Sequence, residues 1–255
     1  MLLRRITEHV KAQNWTAVAL DFVIVVTGVF IGIQVANWND GRQDRETETQ
    51  YLARLAQELS DMAPKAEAAF AEVSERHELI AQVRDYFATG EGGDALGSGH
   101  CAAIGRSHIF AGVIFYPPTI KELIGTGRIV LVRDPELRTA ILAFDQANEE
   151  ISQLREDIQI DRLPLARKHP DLVNNGIMNW EDSACDYDAM VQSQSFLNDF
   201  SDNSRRYIAY VNDVQGLQFE LIKSLGAKVA ASRGETFDPA PDQSGDENTD
   251  NEENS

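Results

Sequence analysis

The sequence is poor in the residues that usually carry chemistry. Its 255 residues hold two cysteines, Cys101 and Cys185, and five histidines, and 23 bases stand against 41 acids. Phosphate binding needs a basic surface, so the deficit of Lys and Arg argues against nucleic acid as a direct partner. No Gly-Lys-Ser/Thr follows the glycine-rich run GEGGDALGSG, which reads as a flexible loop rather than a phosphate cradle. Within it, GSGH lacks the Gly-x-Ser-x-Gly of a nucleophile elbow, so Ser98 gains no catalytic role from His100. Glu181, Asp182, Asp186 and Asp188 lack the one-three-five spacing and the glycine of an EF-hand loop, and read as exposed acid. His100, Cys101 and His108, even joined by Cys185, match no zinc spacing, and His77 reads as a packed or rim histidine. These absences leave no catalytic, cofactor-binding or metal site to assign.

Long apolar runs are equally scarce. Only one is strongly apolar, ALDFVIVVTGVFIGIQVANW at 19–38. From Trp15 to Trp38 a helix rises about 35 Å, enough to cross a bilayer with an amphipathic ring at each interface. Gln34 stands where a signal-peptidase site needs a small residue, so the run reads as a retained transmembrane anchor, residues 15–38. Asp21, Val25, Gly28, Gly32 and Ala36 share one side of this helix, and small residues at that spacing let a second helix approach closely. An acid facing lipid is costly, which puts Asp21 at the headgroup boundary or against a protein partner. The lipid bilayer is thus one expected partner. A second copy, or another single-pass membrane protein, is the other.

Bases flank the span almost equally: Arg4, Arg5 and Lys11 before it, Arg42, Arg45 and Arg54 after it. A short cationic tail crosses the membrane unfavourably, whereas a large acidic domain translocates regardless of its charge. The expected topology is N-terminus inside and domain outside, with residues 1–14 forming an amphipathic segment on the inner leaflet. Without Glu8, Asp21, Arg4, Arg5 and Lys11, residues 39–255 carry 39 acids and 20 bases, a net of −19. Eight of those acids follow Arg233 with no base among them, so residues 233–255 read as a disordered acidic tail. Cys101 and Cys185 form a disulfide if the domain lies outside, closing a loop of about 85 residues for about 4.5 kcal/mol in the chain-entropy model. Facing the cytoplasm, they stay reduced.

Between anchor and tail, residues 42–232 read as a helical bundle. Leu52, Leu55, Leu59, Met62, Ala66, Ala69, Val73, Ile80, Val83 and Phe87 keep a coiled-coil-like three–four spacing over 44–88, broken only at Arg76 and crossed by Pro64. The segment IFAGVIFYPP is too short for a second span and reads as core or a buried loop. Thr119 and Glu122 form a capping box that starts a short helix ending at Gly125 or Gly127, and Ile129–Val132 reads as extended. Asp134 caps a helix with Pro135 at its first position, carrying Leu137, Ile141, Phe144, Ile151, Leu154 and Ile158. Residues 164–187 are irregular. A last helix over 202–231 has Tyr207, Tyr210, Val214, Leu217, Leu221 and Leu225 on one face. No alternating strand pattern competes, so the fold class is all-α: an N-terminal transmembrane helix, then an extracytoplasmic bundle of long helices.

Two stretches carry a family likeness. The opening LLRRITEHVKAQNWTAVALDFVIVVTGVFIGIQVANWND, with Asn37, Trp38 and Asn39 closing the span, resembles the N-terminus of a bacterial group of single-pass membrane proteins. That group is domain-of-unknown-function family 6090. The stretch TIKELIGTGRIVLVRDPELR resembles the family's central segment, and the two cover about a quarter of the chain. The resemblance implies a bacterial inner-membrane protein with a helical domain in the periplasm, and it brings no activity or catalytic residues.

The expected function is binding, sensing or scaffolding through protein–protein contacts at the inner membrane. A membrane-bound hydrolase or metal-dependent enzyme built around His100, His108 and nearby acids is the alternative, and a scaffold facing the cytoplasm is a third reading.

Overall fold

A helix of 75 residues, α1 (Trp15–Thr89), opens the computed structural model. The structure describes residues 15–110 and 112–239, without the side chains of 15–18 and 21. The expected amphipathic segment 1–14, the tail beyond 239 and the side-chain placements of Trp15 and Asp21 lie outside the described residues. The chain divides into two units, Met1–Gln50 and Tyr51–Ser255. Gly41 does not interrupt α1, and Pro64 lies inside it.

After α1 come α2 (Ser98–Gly105), α3 (Pro118–Gly125), α4 (Pro135–Gln159), α5 (Leu165–Lys168), α6 (Tyr187–Gln192), α7 (Gln194–Ala209) and α8 (Leu217–Ser232). A π-helical segment, Tyr210–Gly216, joins α7 to α8. The irregular region holds one minimal ladder, β1 (Val173–Asn174) antiparallel to β2 (Ala184–Cys185), which pairs Val173 with Cys185 and Asn174 with Ala184. All-α is therefore the architecture, with this two-residue pair as its only sheet among the described residues.

The apolar row of α1 feeds two cores inside the second unit. Leu52, Leu55, Leu59, Ala63 and Ala66 pack with Ile120 of α3, Leu137, Ile141 and Phe144 of α4, and Ile222, Leu225 and Val229 of α8. Farther along, Val73, Ile80 and Val83 pack with Ile104, Ile151, Ile158, Phe196, Phe200, Tyr207 and Val214. Full burial of each Leu, Ile, Val or Phe contributes about 1.5–3 kcal/mol, so the three–four spacing is a sufficient reason for α1 to hold these positions inward.

Arg76, which breaks the row, is 5% exposed. Its guanidinium donates to the Ile109 carbonyl (3.3 Å) and to Glu72 (3.0 Å), and lies 5.7 Å from the Tyr207 ring centre. Residues 109, 110 and 112–117 are irregular backbone, and such backbone must find partners that no helix ladder supplies. Gln218, its amide oriented to satisfy both atoms, donates to the Val113 carbonyl (3.1 Å) and accepts from the Phe115 N–H (2.9 Å). Gly112 sits at φ +145°, where a Cβ would meet Tyr210 Oη at 2.7 Å and Gln215 Nε2 at 2.8 Å.

Several local expectations change here. The π-helical turn slips the buried face of the last helical run by one position, so Gln218 is 1% exposed and Leu217 is 44% exposed, against the predicted row. The Thr119–Glu122 capping box does not form. Helix α3 starts at Pro118, and Glu58 of α1 accepts from both the N–H (3.0 Å) and the hydroxyl (2.7 Å) of Thr119, placing a carboxylate at the helix N-terminus. Glu122 instead accepts from Tyr51 (2.6 Å) and Arg54. Arg128–Leu131 is a 3-10 turn rather than an extended piece, because Gly127 enters the left-handed region at φ 71° and reverses the chain in too few residues for a strand. The ordered chain also runs past Arg233: Phe237 packs into the space left by Gly226, and the Ser60 hydroxyl donates to the Asp238 carbonyl (2.8 Å). By contrast, Asp134 caps α4 as expected, accepting from Glu136 N–H (2.8 Å) and Leu137 N–H (3.2 Å) with Pro135 at the first position.

The Gly112→Ala variant is expected to lose about 2–4 kcal/mol of stability in chemical denaturation of the detergent-solubilised chain, from backbone strain plus overpacking. Gly125→Ala, in α3 with open space around a new Cβ, is the control and is expected to be neutral or stabilising by up to about 1 kcal/mol.

Candidate functional site

Two regions take up the residues that the sequence singled out. In the first unit, α1 carries the apolar span. Phe22, Val25, Val29 and Phe30 are between 59% and 68% exposed, and Trp38 is 64% exposed. An added Cβ at Gly28 or Gly32 would meet nothing within 4 Å. An apolar side-chain row this long in contact with water would be costly, whereas in a bilayer it is matched to its surroundings. The described face of Val25, Gly28, Gly32 and Ala36 is open.

In the second unit, Cys101 of α2 and Cys185 of β2 are joined in a disulfide, with Cα atoms 5.5 Å apart. The bond ties α2 to the β1–β2 hairpin, as expected for a domain outside the cytoplasm. Beside it lies an open basin of about 820 Å³ lined by Tyr86, Asp94, Asp171, Asp186 and Asp188, with glycines of the 90–93 loop on one side. No Lys, Arg or His lines it. Asp186 is occupied as the α6 cap, accepting from Ala189 N–H (3.0 Å), and Asp188 accepts from the Tyr86 hydroxyl (3.2 Å). Burial pushes the Tyr187 phenol up to about 12, so it remains a donor, here to the Gly97 carbonyl (2.8 Å). The glycine-rich stretch is more structured than a free loop: it folds into a 3-10 turn at Gly93–Ala95 and the start of α2 at Ser98.

The histidines do not converge. His100 Nδ1 accepts from the Gly97 N–H (3.1 Å), which leaves the proton on Nε2 to donate to Gln82 (2.7 Å). This is a neutral ring acting as a helix cap, and burial lowers its pKa accordingly. His108 follows the opposite end of α2, with its pKa lowered by burial and then by Arg162. His77 is lowered by burial and then by Arg84. Among the described residues no three His, Cys, Asp or Glu side chains form a group able to hold a metal ion.

One polar cluster escaped the sequence. His169 Nε2 lies 2.7 Å from Asp199, whose other carboxylate oxygen accepts from Lys168 (2.8 Å), and the His169 ring meets Phe196 edge-on at 5.3 Å. Burial alone would raise the Asp199 carboxyl. The hydrogen bonds from Lys168 and His169 outweigh it and hold the carboxyl below its usual range. These groups are 30 residues apart in the chain, beyond the reach of any spacing rule. The cluster pins α5 to α7 and, with both His169 and Asp199 nearly covered, reads as structural.

No family model, no curated protein and no solved structure matches the chain.

Because the folded Asp199 carboxyl is depressed, its stabilisation is present above the ordinary value of 3.8 and is lost as pH falls through the lower folded value. The stability gap between the unaltered chain and Asp199→Asn, measured by denaturation, is therefore expected to be largest near neutrality and to narrow below pH 3.8.

Proposed function

We propose that the protein is a membrane-anchored binding module: a single N-terminal span holds a helical domain on the outer face of a bacterial inner membrane, where it acts by protein–protein contact. The observation that carries this reading is the wholly unburied apolar window of α1 in a chain whose other unit is closed by a disulfide. The first feature suits a lipid environment and the second an oxidising compartment. The resemblance of the span and of the Thr119–Arg138 region to family 6090 supports the bacterial setting.

Binding rather than catalysis is favoured because Asp186 and His100 are already committed as caps and Asp188 to the Tyr86 hydroxyl. The hydrolase alternative relied on His100 and His108. His100 is engaged on both ring nitrogens, and the two stand at opposite ends of α2. A signal from the domain would pass sideways through the anchor to another membrane protein. The face of Asp21, Val25, Gly28, Gly32 and Ala36 is the surface for that contact, with a second copy or another single-pass protein as its partner.

Two outcomes are expected in native membranes. The full-length chain stays in the membrane pellet after alkaline washing. A photoreactive side chain at Val25 forms a protein adduct whose yield falls about tenfold in Gly32→Leu and in Asp21→Ala, the loss that ~1.4 kcal/mol of helix association produces. Unchanged cross-linking in both variants removes the lateral contact, and release of the chain by alkali removes the anchor.

A further inference from the structure

The β1–β2 hairpin ends in the sequence NNGIMNWED, residues 174–182. Its apex exposes two large apolar side chains almost completely: Ile177 at 97% and Met178 at 86%. No other large apolar side chain described in the second unit is as exposed, Val130 being next at 69%.

The apex is built rather than slack. A Cβ on Gly176 would come within 1.9 Å of the Asn179 carbonyl oxygen and 2.8 Å of the Asp182 side chain, so only glycine closes this turn. The Gly176 N–H donates to the Ser183 hydroxyl (3.2 Å), and the Asp182 N–H to the Asn179 carbonyl (3.2 Å). The Arg106 guanidinium lies 5.4 Å from the Trp180 ring centre, holding the descending arm against α2. Below it the disulfide fixes the hairpin base. A loop ordered this way has already lost the conformational entropy that binding would otherwise cost, and its apolar tip gains most from being covered. Methionine at such a tip adapts to an irregular pocket.

The surrounding charge selects the occupant. Glu181 and Asp182 follow the apex directly, and the basin at the hairpin base is lined by Asp94, Asp171, Asp186 and Asp188 with no base among its walls. An anionic lipid surface is repelled by this rim, and a second copy of the chain would oppose acid to acid. We infer that the hairpin apex, Ile177 and Met178, is a docking knob for a different protein that offers an apolar pocket rimmed by Lys or Arg. This rests on the reading of the domain as a binding module, and names the surface through which it binds.

The test places a photoreactive amino acid at position 177 of the full-length chain in cells that naturally make the protein, with position 130 as the exposed apolar control. The expected result is a discrete adduct to another protein from 177 and not from 130. Its yield drops at least about fivefold in Glu181→Lys/Asp182→Lys and in Met178→Ser, the scale of a lost rim charge or apolar anchor. Non-reducing gel mobility confirms that each variant keeps the Cys101–Cys185 bond and hence its fold. Lipid adducts, an adduct of twice the chain mass, no adduct, or an adduct indifferent to charge reversal each overturn the inference. The oxidation state of the cysteines reports on the compartment independently, so failure at the apex is distinguishable from failure of the module reading.

Discussion

Irregular backbone that is partly buried has to be hydrogen-bonded by something, and residues 109, 110 and 112–117 impose that demand on the helices around them. No ladder passes through this segment. Its polar groups are met by side chains that a helical core would otherwise exclude: Arg76 on the Ile109 carbonyl and Gln218 on both Val113 and Phe115. Leaving such groups unmet costs roughly 1–3 kcal/mol each, comparable to what one buried leucine contributes, so the core accepts the polar residues. The π-helical turn belongs to the same solution. It brings Gln218 rather than Leu217 inward, and it places Tyr210 and Gln215 against Gly112, where no side chain fits.

This constraint also explains which parts of the fold were legible in the sequence. The apolar row of α1 and the α4 face could be read because local periodicity alone decides which side of a helix is buried. The Asp134 cap could be read because its partners are two and three residues away. The pairing of Cys101 with Cys185 followed from there being only two cysteines. What failed needed knowledge of a distant partner. Thr119 and Glu122 have the spacing of a capping box, but Glu58, 61 residues away, takes the role of the cap. Leu217 sits on a perfect helical row that one extra residue in a turn displaces. His169 and Asp199 meet only once α5 is laid on α7. The Ile177–Met178 pair did carry a signal, two large apolar residues in a loop of Asn and Gly with no periodic partner. Arg76, the single interruption in the α1 row, was a signal of the same kind and marked the side chain that meets the Ile109 carbonyl.

The burial pattern carries the functional argument. Described side chains of α1 from Phe22 to Asp40 are exposed, while Leu55, Leu59, Ile80 and Val83 are at 0–1% exposure. The first stretch has the composition of a bilayer span, and the second is the wall of a core. Among the described residues no three His, Cys, Asp or Glu side chains form a group able to hold a metal ion. The features that remain unspent are surfaces: the small-residue face of the span, the acidic basin and the hairpin apex.

The central claim is that the domain lies outside the cytoplasm at the end of a retained anchor. The most direct measurement is the redox state of Cys101 and Cys185 in unstressed cells, read by blocking free thiols in intact cells and labelling again after reduction of the lysate. The account predicts that both cysteines are blocked to the first reagent and labelled only after reduction. Free thiols at both positions before reduction would contradict it and place the domain in the cytoplasm.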